Sequence, residues 1–244
     1  MNIWILVIAV MIASFVIQQT LQSRFRKYSQ VPTPGGITGA EVARRMLEQN
    51  GVTNVRITCI PGELTDHFNP ETMTVNLSES VYGQRSIAAA AVAAHECGHV
   101  LQHAQGYAPL RLRTKLVPVV TFANKAVQWV LLLGVLLISI TPALLWLGIA
   151  LFAATTIFSF VTLPVEINAS QRAVAWLKQS AIADVETAPM AADALKWAAY
   201  TYVIAAIGSL ATLLYYIAMA RRDYKRVGWF WSGPARILSM MACR

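Results

Sequence analysis

The sequence predicts a mainly α-helical membrane protein, with about four transmembrane helices and a small α+β unit between the first two. Three observations carry the prediction. Only 13% of the 244 residues are charged and 56% are hydrophobic, whereas soluble domains average about 25% charged residues. The apolar residues gather in runs that approach the roughly 20 needed for one helical crossing of a bilayer. Basic residues stand mainly beside those runs. A buried helical bundle in a soluble protein is the alternative, and runs this long argue against it.

The first run, Ile3 to Ile17, has no basic region before it and no small-residue cleavage site after it, so it reads as a retained anchor over residues 1–22. Arg24 to Lys27 then place its C-terminal side in the cytoplasm. Val127 to Ile140, lengthened upstream by Val117 to Phe122, and Ala143 to Leu163 form a hairpin over residues 117–163, turning at Thr141-Pro142. Lys125 in it reads as a snorkelling residue. Tyr202 to Ala220 makes a fourth helix, over 200–220, before a basic tail over 221–244. Parity from a cytoplasmic Arg24 to Lys27 would leave that tail outside, against the charge rule; either the fourth segment stops short or the tail is an exception.

The formal net charge of +8 does not indicate nucleic acid. Arg111, Arg113 and Lys115 precede the second run, Arg221, Arg222, Lys225 and Arg226 follow the fourth, and no basic–aromatic repeat appears. Cys59, Cys97 and Cys243 are too few and too scattered for a disulfide framework or a zinc knuckle.

Residues 23–116 form the polar region. After the turn cluster VPTPGG, Thr38 and Glu41 predict a capping box for a helix over Ala40 to Glu48, ended by Asn50-Gly51. Val55 to Ile60 reads as a strand, DHFNPET as a turn and Met73 to Leu77 as a second strand. Arg85 to Gln105 is Ala-rich and predicts a helix ending at Gly106.

That helix carries His95-Glu96-Cys97-Gly98-His99, an H-E-x-x-H motif. Histidines at i and i+4 project from one helix face and can share a zinc ion. The glutamate after the first histidine lies off the metal, beside the water that zinc acidifies, where Glu96 can take the proton and pass it to a leaving amine. Gly98 costs helix stability by about 1 kcal/mol against alanine; close approach of another backbone would justify it. His103 continues the row, but eight residues from His95 is roughly 12 Å along the axis, too far for one ion to join both. It reads as a polar neighbour.

A catalytic zinc takes a third protein ligand and leaves a position open. Glu166, in LPVEINASQRA, is the candidate; the plain alternative is a solvated acid opening a cytoplasmic helix over residues 164–199. Parity brings Glu166 out on the face that holds His95 and His99. Asn168 and Ser170 could orient its carboxylate, and Arg172 could help or simply snorkel.

HECGHVLQH, the upstream LTDHFNPETMTVNLSESVYGQRS and the downstream LPVEINASQRA together resemble the bacterial YugP-type neutral zinc metallopeptidases. The resemblance extends over nearly the whole chain to about Arg222. It implies a membrane-bound, zincin-like peptidase with Zn2+ as cofactor, His95 and His99 as ligands and Glu96 as catalytic acid/base. Similarity to the HtpX-like membrane peptidases implies Glu166 as third ligand. The chain departs from the pattern in Cys97, where an aliphatic residue is common, and in a longer tail after Asp223.

Two further features are ambiguous. Met73 to Leu77 is placed like the edge strand on which zincins lay an extended substrate, or is an ordinary core strand. His67 could stabilise an oxyanion, or bond its neighbours in a turn. The expected function is a zinc endopeptidase acting on proteins or peptides at the cytoplasmic membrane surface. The alternatives are an intramembrane zinc protease and a membrane scaffold with a structural zinc. Gln102, His103 and Gln105 suit a water-facing helix and argue against the first; Glu96, with no structural task, argues against the second.

Overall fold

The computed structural model describes the backbone of residues 3–241 and the side chains of residues 4–222, so the tail beyond Arg222, with Lys225, Arg226 and Cys243, lies outside the side chains described. Helix α1 spans Ile3–Tyr28, α2 Gly39–Gln49, and strands β1 (Arg56–Ile60), β2 (His67–Asn69) and β3 (Thr74–Ser78) follow. Then come α3 (Glu79–Tyr82), α4 (Ile87–Ala104), α5 (Ala108–Leu136), α6 (Pro142–Gln179) and α7 (Ala188–Met241). Among the described residues, four helical stretches are long and apolar enough to cross a membrane: Trp4–Tyr28, Ala108–Leu136, Pro142–Gln179 and Ala188–Arg222. The protein is thus a mainly α membrane protein with a small α+β unit.

These helices outrun the apolar runs that mark them. A helix needs only propensity and backbone hydrogen bonds to continue past the oily stretch, and even Pro164, directly after Leu163, does not end α6. Pro164 and Pro118 lie inside α6 and α5. Each lacks an N–H, so each removes one hydrogen bond of its helix without ending it.

Two compact units divide the described residues. One comprises residues 8–115 and 160–205. Its α2 begins with the expected capping box, in which Thr38 Oγ1 accepts from Glu41 N and the Glu41 carboxylate accepts from Thr38 N. Its sheet has the order β1-β3-β2, with β1 parallel and β2 antiparallel to β3. Strand β3 is therefore central, not an edge. DHFNPET is also more than a turn: His67–Asn69 pairs with Thr74–Asn76. The reversal is made by Asn69, whose Oδ1 accepts from Glu71 N and Thr72 N. One face of that sheet and α2 pack on α4, whose alanines at 89–91, 93 and 94 are buried with Val75, Leu77, Met46 and Leu177 in one core.

The other unit contains residues 116–159 and the stretch of α7 from Ala206. Its packing relies on small residues, as helix contacts in lipid do. A Cβ on Gly134 would lie 2.7 Å from Leu145 Cα, and one on Gly148 would lie 2.8 Å from the Leu131 side chain. Leu131, Leu145 and Ile149 form its small core, while Trp129, Leu132, Leu136 and Ile140 face outward.

Candidate metal centre

His95 and His99 lie one turn apart on α4, their rings edge to face with centroids 4.7 Å apart. Helix α6 delivers Glu166 to them. Its Oε2 is 3.3 Å from His95 Nε2 and 3.4 Å from His99 Nε2. A tetrahedral zinc with bonds of about 2.0–2.1 Å places neighbouring donor atoms about 3.3–3.4 Å apart, so the two histidine–carboxylate spacings fit the ion. Among the described residues, these three form the one group of metal-ligating side chains with donor atoms mutually within 4.8 Å.

Gly98 explains how α6 comes so near. A Cβ there would lie 2.7 Å from the carbonyl oxygen of Ala169 and 3.1 Å from its Cα. The missing side chain lets the two helix backbones touch, and Glu166 is three residues from that contact.

The imidazoles are held by their other nitrogens. Gln102 is fully buried on α4 and its Nε2 donates to Val165 O at 2.8 Å and Asn168 Oδ1 at 3.0 Å. A carbonyl accepts only, so this orientation of the amide is settled and its Oε1 must be the acceptor for His99 Nδ1, 3.1 Å away. The proton of neutral His99 therefore sits on Nδ1, leaving the Nε2 lone pair for the metal. Arg172 Nε donates to the same Asn168 Oδ1 at 2.7 Å, and its Nη1 to Gln105 Oε1 at 2.6 Å. Ser170 Oγ stands 3.1 Å from His95 Nδ1. Ser170 thus meets His95, and Asn168 and Arg172 meet Gln102 and Gln105, rather than the Glu166 carboxylate.

Glu166 is oriented instead by Arg113 of α5, whose Nη1 donates to Oε1 at 3.3 Å. Sequence reasoning assigned Arg113 to the flanking basic charges and treated Gln102 as a sign of a water-facing helix. Both are site residues whose partners lie 53 and 63 positions away in the chain. No local pattern distinguishes them.

Glu96 is buried and lines a cavity with His95 and Glu166. Burial disfavours the charged form of His99, but the hydrogen bond to Glu166 and the charges of Glu96 and Glu166 outweigh it and hold the imidazole above its ordinary value. Burial, with the Glu96 charge adding to it, pushes the Cys97 thiol far above its usual range. His67 lies on β2, its Nδ1 2.8 Å from Thr65 O and its Nε2 3.1 Å from Asn76 Nδ2. The His103 ring meets Phe68 at 5.7 Å. Neither belongs to the trio.

A mainly α fold with four candidate membrane spans among the described residues and a candidate donor set of two imidazoles and one carboxylate is the arrangement a membrane zinc metallopeptidase would present. The chain belongs to the family described as "Putative neutral zinc metallopeptidase", which matches residues 3–221. It is 44% identical over 212 residues to the "Putative membrane protease YugP" of Bacillus subtilis (strain 168), covering 87% of this chain and 93% of that protein. No solved structure matches the chain significantly. The protein is a zinc-dependent peptidase of the membrane, with zinc as its cofactor and peptides as its substrates.

Proposed function

We propose that the protein is an endopeptidase whose zinc is held by His95, His99 and Glu166, with Glu96 as general acid/base, at the cytoplasmic face of the membrane. The convergence of both Nε2 atoms on one Glu166 oxygen, beside the buried Glu96, carries this reading. Zinc bound there supplies Lewis-acid chemistry, polarising the scissile carbonyl and acidifying water.

The protein's own groups do the rest. Glu96 lies on the cavity wall next to His95, on the same helix but outside the donor trio. It takes a proton from the attacking water and returns it to the leaving amine. Gln102 and Ser170 hold the rings, and Arg113 holds the carboxylate, so the donor atoms need not reorganise when metal arrives.

Glu96→Gln is expected to retain zinc and lose hydrolysis; full activity in that variant would sink the mechanism. A structural zinc would want a fourth protein ligand, and three are grouped here among the described residues. The intramembrane alternative places H-E-x-x-H within an apolar span, and α4 is not among the four candidate spans. The cytoplasmic assignment follows from Arg24 to Lys27. Thiol labelling tests it at Cys59, which is exposed; Cys97 is fully buried and unsuited as a probe. Labelling of Cys59 in intact cells by an impermeant reagent would reverse the orientation.

A further inference from the structure

The catalytic groups open onto a cavity of about 220 Å³ within the α+β unit. Leu21 and Phe25 of α1, Val92 of α4, and Leu195, Ala198 and Ala199 of α7 form its apolar walls. Its charged lining consists of His95, Glu96, Glu166 and Asp66, with no lysine or arginine. Asp66 is occupied, accepting from Ser78 N at 2.7 Å and from Ser78 Oγ at 3.1 Å. Apart from the hydroxyls of Ser170, Thr201 and Tyr202, an acidic side chain entering here would meet like charge and hydrocarbon, and a basic one would lose its water to reach the metal ligands.

The walls on α1 and α7 are joined by a polar latch. Tyr28 Oη donates to Asp193 Oδ2 at 2.7 Å, and Arg24 Nε lies 3.5 Å from the same oxygen. This clamps α1 to α7 at positions flanking Phe25 and adjoining Ala194, which also lines the cavity. The alanines of α7 keep the space open, since larger residues there would fill it. A cavity of about 150 Å³ accepts benzene, so this one has room for a single large side chain beside the reacting carbonyl.

We propose that this cavity receives the substrate side chain next to the scissile bond and selects a large uncharged apolar residue, with Phe25 and Ala198 setting its size. The proposal rests on the peptidase reading above. It also makes the N-terminal membrane helix a wall of the substrate site as well as an anchor.

The test uses the full-length, zinc-loaded protein in detergent or nanodiscs, a complex peptide library, and mass spectrometry to locate the cuts. Leucine, methionine and phenylalanine are expected to be enriched at one position adjacent to the cut. One methylene in an apolar pocket changes kcat/KM by roughly 10–200-fold, so that scale is expected between fitting and non-fitting side chains. Ala198→Phe should shift preference toward alanine and glycine, and Phe25→Ala should shift it toward tryptophan and phenylalanine. The milder Ala198→Leu gives the same direction should the larger residue impair folding, judged by zinc content and circular dichroism. Glu96-dependent cleavage with no apolar preference, or with a profile that both variants leave unchanged, overturns the pocket alone. Absence of any Glu96-dependent cleavage overturns the peptidase reading and the pocket with it.

Discussion

Arg113 and Glu166 meet through one carboxylate oxygen: Nη1 donates to Oε1 at 3.3 Å, leaving Oε2 to face both histidines. The arginine thereby divides the carboxylate between an oxygen held by the guanidinium and one free to serve as the proposed ligand. Arg113→Ala is expected to weaken zinc binding by about 10–100-fold, the usual cost of losing a partner behind a ligand. Chelator competition measures this. An unchanged affinity would show that the helix alone positions Glu166.

Gly98→Ala sets two effects against each other. Alanine favours the helix by about 1 kcal/mol, but its Cβ would lie 2.7 Å from a backbone oxygen on α6. Backbone cannot swing aside, and such overpacking costs about 1–3 kcal/mol. The clash should win, with a lower unfolding temperature and less retained zinc. A stabilised variant would mean that α4 and α6 separate easily.

Gln102→Leu keeps the volume nearly constant and removes the amide. Val165 O then loses a donor and His99 Nδ1 its acceptor, while Asn168 Oδ1 keeps the Arg172 Nε donor. Each unsatisfied buried group costs about 1–3 kcal/mol. Thermal unfolding of the metal-free protein should register that loss, and chelator competition should show weaker zinc binding. Arg172→Ala, at the exposed end of the same chain of bonds, should produce a smaller effect in the same direction.

Zinc binding should depend on pH through His99. Its imidazole is held above the ordinary value because Glu166 bonds it and Glu96 and Glu166 surround it with negative charge, against the opposing effect of burial. The raised value means that proton binding stabilises the metal-free fold fully below the unfolded histidine value of about 6.5, and that this contribution is lost as pH rises through the folded one. Zinc requires the neutral ring. Affinity should therefore climb with pH until His99 is deprotonated, with proton release on binding below that point. Calorimetry in buffers of different ionisation enthalpy measures the release. A pH-independent affinity between 5 and 8 would contradict the raised value, given the roughly 6.5 of a free imidazole.

Much of the site could be read locally, because its signals are local. The i, i+4 histidines need only a helix, and the alanines beside them supply one. The capping box of Thr38 and Glu41 spans four residues and forms as expected. Gly98 was legible as a costly residue that needed a neighbour, and α6 is that neighbour. What escaped depends on partners far along the chain. Strand β2 is three residues long and exists because β3 offers it an edge. Gln102 has the polarity of a surface residue and is buried because Val165 and Asn168 come to meet it. Arg113 sits in a basic cluster whose charge is equally well explained by the membrane. Composition cannot separate an arginine that faces lipid headgroups from one that faces a carboxylate.

The bonds running from Arg172 through Asn168 and Gln102 to His99 have one further consequence. A guanidinium can only give hydrogens, so each amide along the line is forced to point one way. The handedness of that line ends in the choice of which ring nitrogen is left bare. A cation near the rim of the protein thereby joins the Val165 carbonyl in fixing the tautomer of an imidazole it never touches, before any metal arrives.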